Sequence, residues 1–164
     1  MKKSWIIPAV ALVIAALVNF VARATGNAAV AAMVKPALLP LIALTTVAAA
    51  GGMDSKTIRL LVIAQLLGCA GDIFLIGSGT LPFAVGLVCF LVGHIFYCIN
   101  FGGQSWKGLK PGQWAIAIAV MAAAVAGLLL AIGVKGTFLA PFAVYGFMLM
   151  MLIFSGFAGV IRGL

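Results

Sequence analysis

Apolar residues in this chain come in six long runs, broken by short polar or glycine-containing stretches. The runs are approximately Trp5–Ala22, Val34–Ala50, Ile58–Gly77, Pro82–Gly102, Trp114–Gly133 and Phe138–Val160. Between them stand RATGN, GGMDSKT, SGTL, GGQSWKGLKPGQ and VKGT. A helix that crosses the hydrocarbon core of a bilayer needs about 20 mostly apolar residues, and each run approaches or reaches that length. The strict apolar–polar alternation of a membrane barrel is absent. The pattern predicts an all-α, polytopic transmembrane helix bundle of about six helices, forming a single integral membrane domain over residues 1–164.

Composition narrows the solvent. Of 164 residues, 66% are hydrophobic and 7% charged, against roughly half and a quarter in a soluble domain. One globular core cannot hide such a surplus, so the solvent for much of the surface is lipid. The net charge of +8 then suits anionic headgroups and membrane topology. Nucleic acid is excluded as a partner, because the basic residues punctuate apolar runs instead of clustering among polar ones. Cys69, Cys89 and Cys98 lie inside the runs without metal-ligand spacing. They read as reduced packing residues, with no metal site and no disulfide framework.

Basic residues in short loops favour the cytoplasmic side. One set of ends carries seven (Lys2, Lys3, Lys56, Arg59, Lys107, Lys110, Arg162) and the other three (Arg23, Lys35, Lys135). The expected topology is a multi-pass protein of the cell (inner) membrane with a cytoplasmic N-terminus. The start of the chain, with Ala22-Arg23-Ala24 after an apolar stretch, resembles a cleavable signal. The apolar runs that follow favour an uncleaved first span.

Polar side chains within spans must face other helices. In the third run Gln65, Gly68, Cys69 and Asp72 recur every three or four residues and share a face. Asp72 is one of only two acidic residues, and Asp54, the other, falls in a polar loop. A carboxylate within an apolar run must be protonated, paired or functional. In the fourth run Gly86, Phe90, His94 and Tyr97 repeat at helical spacing. Each also has a plainer reading: His94 as a core hydrogen-bonding residue, Gly68 and Gly86 as packing contacts, Tyr97 as an interfacial anchor, Lys35 as a snorkelling cation. Lys35-Pro36 is expected to open the second helix, with Pro40 one turn on. At 1.5 Å per residue, Asp72 is expected roughly 7 Å, and His94 roughly 18 Å, below the outer end of its helix.

Lys35-Pro36 opening an apolar helix, Gly71-Asp72 late in the next, and Gly86, Phe90, His94 and Tyr97 in the one after resemble the YhhN family of membrane proteins. Its characterised members are lysoplasmalogenases. The resemblance covers about Lys35 to Phe101, and the flanking runs by hydropathy alone. It implies hydrolysis of the vinyl ether bond of a lysophospholipid, giving a fatty aldehyde and a glycerophospho-base, without a cofactor. It also implies about eight crossings and a second intramembrane acid, so this chain is expected to be incomplete at its C-terminus. In that reading Asp72 is the general acid, since a carboxyl withdrawn from water tends to keep its proton. Lys35 pairs with the substrate phosphate, His94 and Tyr97 orient water or a hydroxyl, and Gly86 and Phe90 complete the lipid site. A small proton-coupled transporter and a non-catalytic membrane protein are the alternatives, because an intramembrane acid and a histidine also describe a proton relay.

Overall fold

The computed structural model describes residues 3–133, 136 and 139–161. Among them are six α-helices and no strand. They are α1 (Ile6–Ala24), α2 (Ala28–Ala50), α3 (Lys56–Phe74), α4 (Thr80–Ser105), α5 (Pro111–Ile132) and α6 (Leu139–Ile161), and a 3-10 turn, Lys3–Trp5, leads into α1. All six are long and apolar enough to cross a membrane. Large apolar side chains stand outward, with Ile7 79%, Leu81 75% and Leu130 82% exposed. Water would penalise that surface and hydrocarbon does not. This is a multi-pass membrane protein with an all-α fold. Of the basic residues that set the expected topology, Lys2, Lys135 and Arg162 lie outside the described residues, as does Phe138 at the start of the sixth expected span.

Among the helix ends that differ from the hydropathy boundaries, two bear on the site. α2 begins at Ala28, not near Val34, because Asn27 caps it by accepting from the Val30 N–H at 3.2 Å. Gly26, at φ 74°, takes the left-handed conformation that turns the chain back after α1. Pro36 and Pro40 therefore lie inside α2 and not in its first turn. Neither has an N–H to give, so the helix bonds to the carbonyls of Ala32 and Pro36 are missing. At the other boundary α3 stops at Phe74, before the apolar run does. The N–H groups of Ile76 and Gly77 turn back onto the carbonyls of Ile73 and Phe74, and Gly79, at φ 106°, completes the turn. Leu75 and Ile76 extend the greasy surface without extending the helix. Asp72 thus lies two residues, about 3 Å, from the end of α3.

The chain divides into two compact units, Met1–Phe96 and Tyr97–Leu164. In the first, α1 and α2 form an antiparallel hairpin, and the Ser4 hydroxyl reaches the Ala48 carbonyl at 3.4 Å, tying the chain start to the far end of α2. α3 carries much of the buried surface, with Val62, Ala64, Gln65, Gly68, Gly71 and Asp72 all buried. The first part of α4 lies closely against it. A Cβ on Gly86 would stand 3.1 Å from the Gly71 carbonyl oxygen, and one on Gly93 would stand 3.0 Å from that of Ala64. Helices in lipid gain little from apolar burial against each other, so close backbone approach at small residues is what joins them.

In the second unit a polar link is buried among rings. Trp106 Nε1 donates to Ser155 Oγ at 3.0 Å, and Ser155 Oγ donates to the Met151 carbonyl at 2.6 Å. Trp114 packs edge-on against Trp106 and tilted against Phe154, at 5.7 and 5.9 Å between ring centres. Gly102 is the residue that leaves room for the Trp106 indole, whose atoms come within 2.5 Å of where a Cβ would be.

A charged cavity at the helix ends

The end of the first unit that holds the α1–α2 and α3–α4 turns contains a cavity of about 520 Å³. Arg23, Lys35 and Asp72 line it, with Ala31, Ala32 and Leu75 among the apolar walls. The Lys35 ammonium lies 2.5 Å from Asp72 Oδ1. The pair is lopsided: the lysine side chain is 39% exposed and the aspartate 7%. Lys35 reaches this depth because α2 starts early, which places it about 10 Å into the helix.

Arg23 arrives from the last turn of α1. Its Nε–H donates to Asn19 Oδ1 at 3.2 Å, and Asn19 Nδ2 donates to the Ala31 carbonyl at 2.8 Å. Asn19 is buried, so its amide both fastens α1 to α2 and fixes one edge of the guanidinium. Residues four apart share a helix face, which is why Asn19 can hold Arg23. Formally the cavity contains two cations and one carboxylate.

Successive helix residues point about 100° apart, so Gly71 and Asp72 meet different neighbours. Asp72 meets Lys35 on α2. Gly71 meets α4, where two Phe90 ring atoms come within 2.8 Å of a notional Gly71 Cβ. Gly86 packs on the Gly71 carbonyl and on Leu75. Gly86 and Phe90 thus buttress the helix that carries Asp72. His94 follows Gly93, which opposes Ala64, so it stands about 12 Å along α3 from Asp72. The His94 Nδ1–H donates to the Phe90 carbonyl at 2.6 Å when the ring is in that tautomer. Tyr97 belongs to the second unit and stacks on Phe101, with 6.2 Å between ring centres. On the shared face of α3, Gln65, Gly68 and Asp72 are buried and Cys69 is half-buried. All three cysteines are free thiols.

A family model described as the YhhN family matches residues 30–161. The chain belongs to the YhhN family. No curated protein and no solved structure matches it. The YhhN match takes in Lys35, Asp72, Gly86, Phe90, His94 and Tyr97, and it extends through α5 and α6, which hydropathy alone had tied to the family. Asn19 and Arg23 precede it.

Those two residues are the ones that reading the sequence missed. Arg23 looked like a loop cation or part of a cleavage motif. The signal that would have found it was Asn19, the only other polar residue of VNFVARA, four positions earlier. Chemically, this corner of the YhhN chain offers two cationic donors, one carboxylate and apolar walls at the end of lipid-facing helices. That combination suits an amphiphile with an anionic head.

Proposed function

We propose that this YhhN family member hydrolyses the vinyl ether bond of lysoplasmalogens, releasing a fatty aldehyde and a glycerophosphocholine or glycerophosphoethanolamine. The observation that carries the reading is the buried Asp72 carboxyl in a cavity that also holds Lys35, at an end of membrane-spanning helices. A vinyl ether is cleaved by transfer of a proton to the alkene carbon remote from oxygen. The resulting oxocarbenium ion is captured by water at the carbon bonded to oxygen. Loss of a proton gives a hemiacetal, and its carbon–oxygen bond to glycerol breaks to leave aldehyde and alcohol. The net change is addition of one water.

Asp72 supplies the proton and then, as a carboxylate, faces the cation it has created, the two-state logic of carboxyl groups in glycoside hydrolysis. Lys35 takes the headgroup phosphate as a compact point charge. Asp54, in the turn between α2 and α3, is at the opposite end of the unit and takes no part. The protein is assigned to the inner membrane with its N-terminus in the cytoplasm. The bias of seven basic residues against three supports that orientation. The cavity then opens on the non-cytoplasmic side.

The test is aldehyde release from a 1-alkenyl lysophospholipid in mixed micelles, coupled to an alcohol dehydrogenase, with thermal stability measured on the same samples. The full-length wild-type protein is expected to release aldehyde. Folded Asp72→Asn, which keeps size and polarity but has no acidic proton, is expected to lose at least about a hundredfold in rate, the usual scale for a general acid. Near-normal turnover by Asp72→Asn, or no aldehyde from the wild type, refutes the proposal.

A further inference from the structure

Two features of the cavity are left unexplained by that reaction. Arg23 is held in place without a task, and Lys35 is already committed to Asp72. Among the described residues, Asn19 is the only side chain bonded to Arg23, through a single N–H, and Lys35 is the only ion-pair partner of Asp72. An arginine at a helix end normally sweeps through solvent. Here a buried amide, itself fastened to the Ala31 carbonyl, fixes one edge of the guanidinium. The remaining N–H groups form the planar fork that matches phosphate oxygens. Pairing Lys35 with Asp72 satisfies the resting cavity, but the lysine side of that pair is open enough for another anion to reach.

We infer that an anionic phosphate group binds between Arg23 and Lys35 and, in binding, takes Lys35 away from Asp72. The inference rests on the proposed hydrolase reading for its purpose, although its test does not. In the resting cavity an ammonium occupies the carboxylate that has to carry a proton. Exchange removes that block. A phosphodiester brings one negative charge and receives charge-assisted hydrogen bonds from both cations. Asp72 is then left buried without its counter-ion, and an unpaired charge is the costly state there. The charged and titratable groups that bear on this step are Arg23 on α1, Lys35 on α2 and Cys69 one turn back on α3. The stretch of α4 from Thr80 to Phe96 has no acid and no lysine or arginine, and its histidine stands about two turns deeper. Asp72 is thus released from Lys35 only when a headgroup is present, and water alone meets a closed pair. Arg23 and Asn19 are positioning residues in this scheme.

The probe is a radiolabelled 1-O-alkyl lysophosphocholine, a saturated ether with the same chain and head that has no alkene to protonate. Its equilibrium binding to purified protein in an uncharged sugar detergent is measured for the wild type and variants. Arg23→Ala and Lys35→Ala are each expected to weaken binding about tenfold, the scale of one charge-assisted contact. Asp72→Asn removes the competitor for Lys35 and is expected to bind the probe about three- to tenfold more tightly, the scale of a part-exposed ion pair. A purely structural pair predicts the opposite sign. Asp72→Ala carries the same expectation if the asparagine variant does not purify as a single species.

Alkylglycerol, glycerophosphocholine and inorganic phosphate serve as competitors. Strong competition by alkylglycerol, which has no phosphate, overturns the inference. Competition by glycerophosphocholine or phosphate as strong as by the unlabelled lipid supports the exchange and assigns the site to a water-soluble phosphate; weaker competition supports it and assigns a lipid headgroup. Wild-type affinity in both Arg23→Ala and Lys35→Ala overturns it, as does unchanged or weaker binding in both Asp72 variants. Aldehyde is not read in this assay. A protein that shows the exchange but releases no aldehyde refutes the reaction and not the exchange. One that releases aldehyde, yet whose Asp72 variants do not bind more tightly, refutes the exchange and not the reaction.

Discussion

Gly86→Ala tests whether the α3–α4 contact sets the position of the acid. A Cβ at residue 86 would stand 3.1 Å from the Gly71 carbonyl oxygen, and 3.1 and 3.2 Å from Cγ and Cδ2 of Leu75. Comfortable contact begins at about 3.5 Å, so something must yield by a few tenths of an ångström. Leu75 can rotate, but the carbonyl belongs to the α3 backbone and cannot. Overpacking of this kind costs about 1–3 kcal/mol, and the higher helix propensity of alanine returns up to about 1 kcal/mol. The net expectation is a loss of about 1 kcal/mol. Gly127, in α5, is the control: nothing stands within 4 Å of its notional Cβ. Gly127→Ala should therefore gain about 0.5–1 kcal/mol from propensity alone. Unfolding by added SDS in mixed micelles reads both. Because Gly71 adjoins Asp72, the displaced backbone also moves the carboxyl relative to Lys35. Aldehyde release per folded molecule should fall about three- to tenfold in Gly86→Ala, since small misplacements of a reacting group are costly. Equal stability changes in the two variants would refute the reasoning, and so would a destabilised Gly86→Ala protein with full turnover.

Three further outcomes are expected. Asn19→Ala should cost about 1 kcal/mol in the same unfolding assay, because it removes a buried hydrogen bond between α1 and α2. Trp106→Phe should cost about 1–3 kcal/mol, since it removes the indole N–H that Ser155 Oγ accepts and leaves a fully buried hydroxyl to its Met151 bond alone; the double variant Trp106→Phe, Ser155→Ala should recover part of that loss. Reporter fusions after Gly52 and Gly108 should report cytoplasm, and fusions after Gly26 and Gly79 the other side; a cytoplasmic signal at Gly79 overturns the orientation.

The count and class of the helices were legible because the hydrocarbon requirement acts on every residue of a span, so six runs of apolar residues became six helices. Their ends were less legible. Hydropathy reports which solvent a residue meets, whereas a helix ends where the backbone turns. The Asn27 cap and the Gly26 turn begin α2 well before its greasiest part, and Leu75-Ile76 stay apolar after α3 has ended. For the same reason Asp72 is about 3 Å from its helix end and not about 7 Å. Asp72 itself stood out, because an acid in an apolar run demands a reason. Its partner did not. Lys35 had two readings in sequence, a snorkelling cation or a phosphate ligand, and only the geometry of α2 against α3 shows the ammonium turned onto the carboxyl. Arg23 was obscured by its context, a basic residue at the end of a first span, where signal motifs and topology signals also place one.

The site depends on α3 presenting two faces to two kinds of neighbour. Toward α4 it offers Gly71 and Ala64, seven residues apart, matched by Gly86 and Gly93 at the same interval on the partner helix. Contacts of backbone against backbone leave little slack, so this side fixes where α3 lies. Toward α2 it offers a carboxyl, whose partner is a long, half-exposed lysine on a helix that has lost bonds at two prolines. That side can change partners without moving the helix. In the proposed reaction, a rigid crossing on one face and an exchangeable ion pair on the other would let a single charge be released while the carboxyl stays in place. An apolar pair in place of Lys35 and Asp72 would pack as well and could be more stable. Keeping the charges there is therefore better explained by chemistry at the cavity than by the stability of the bundle.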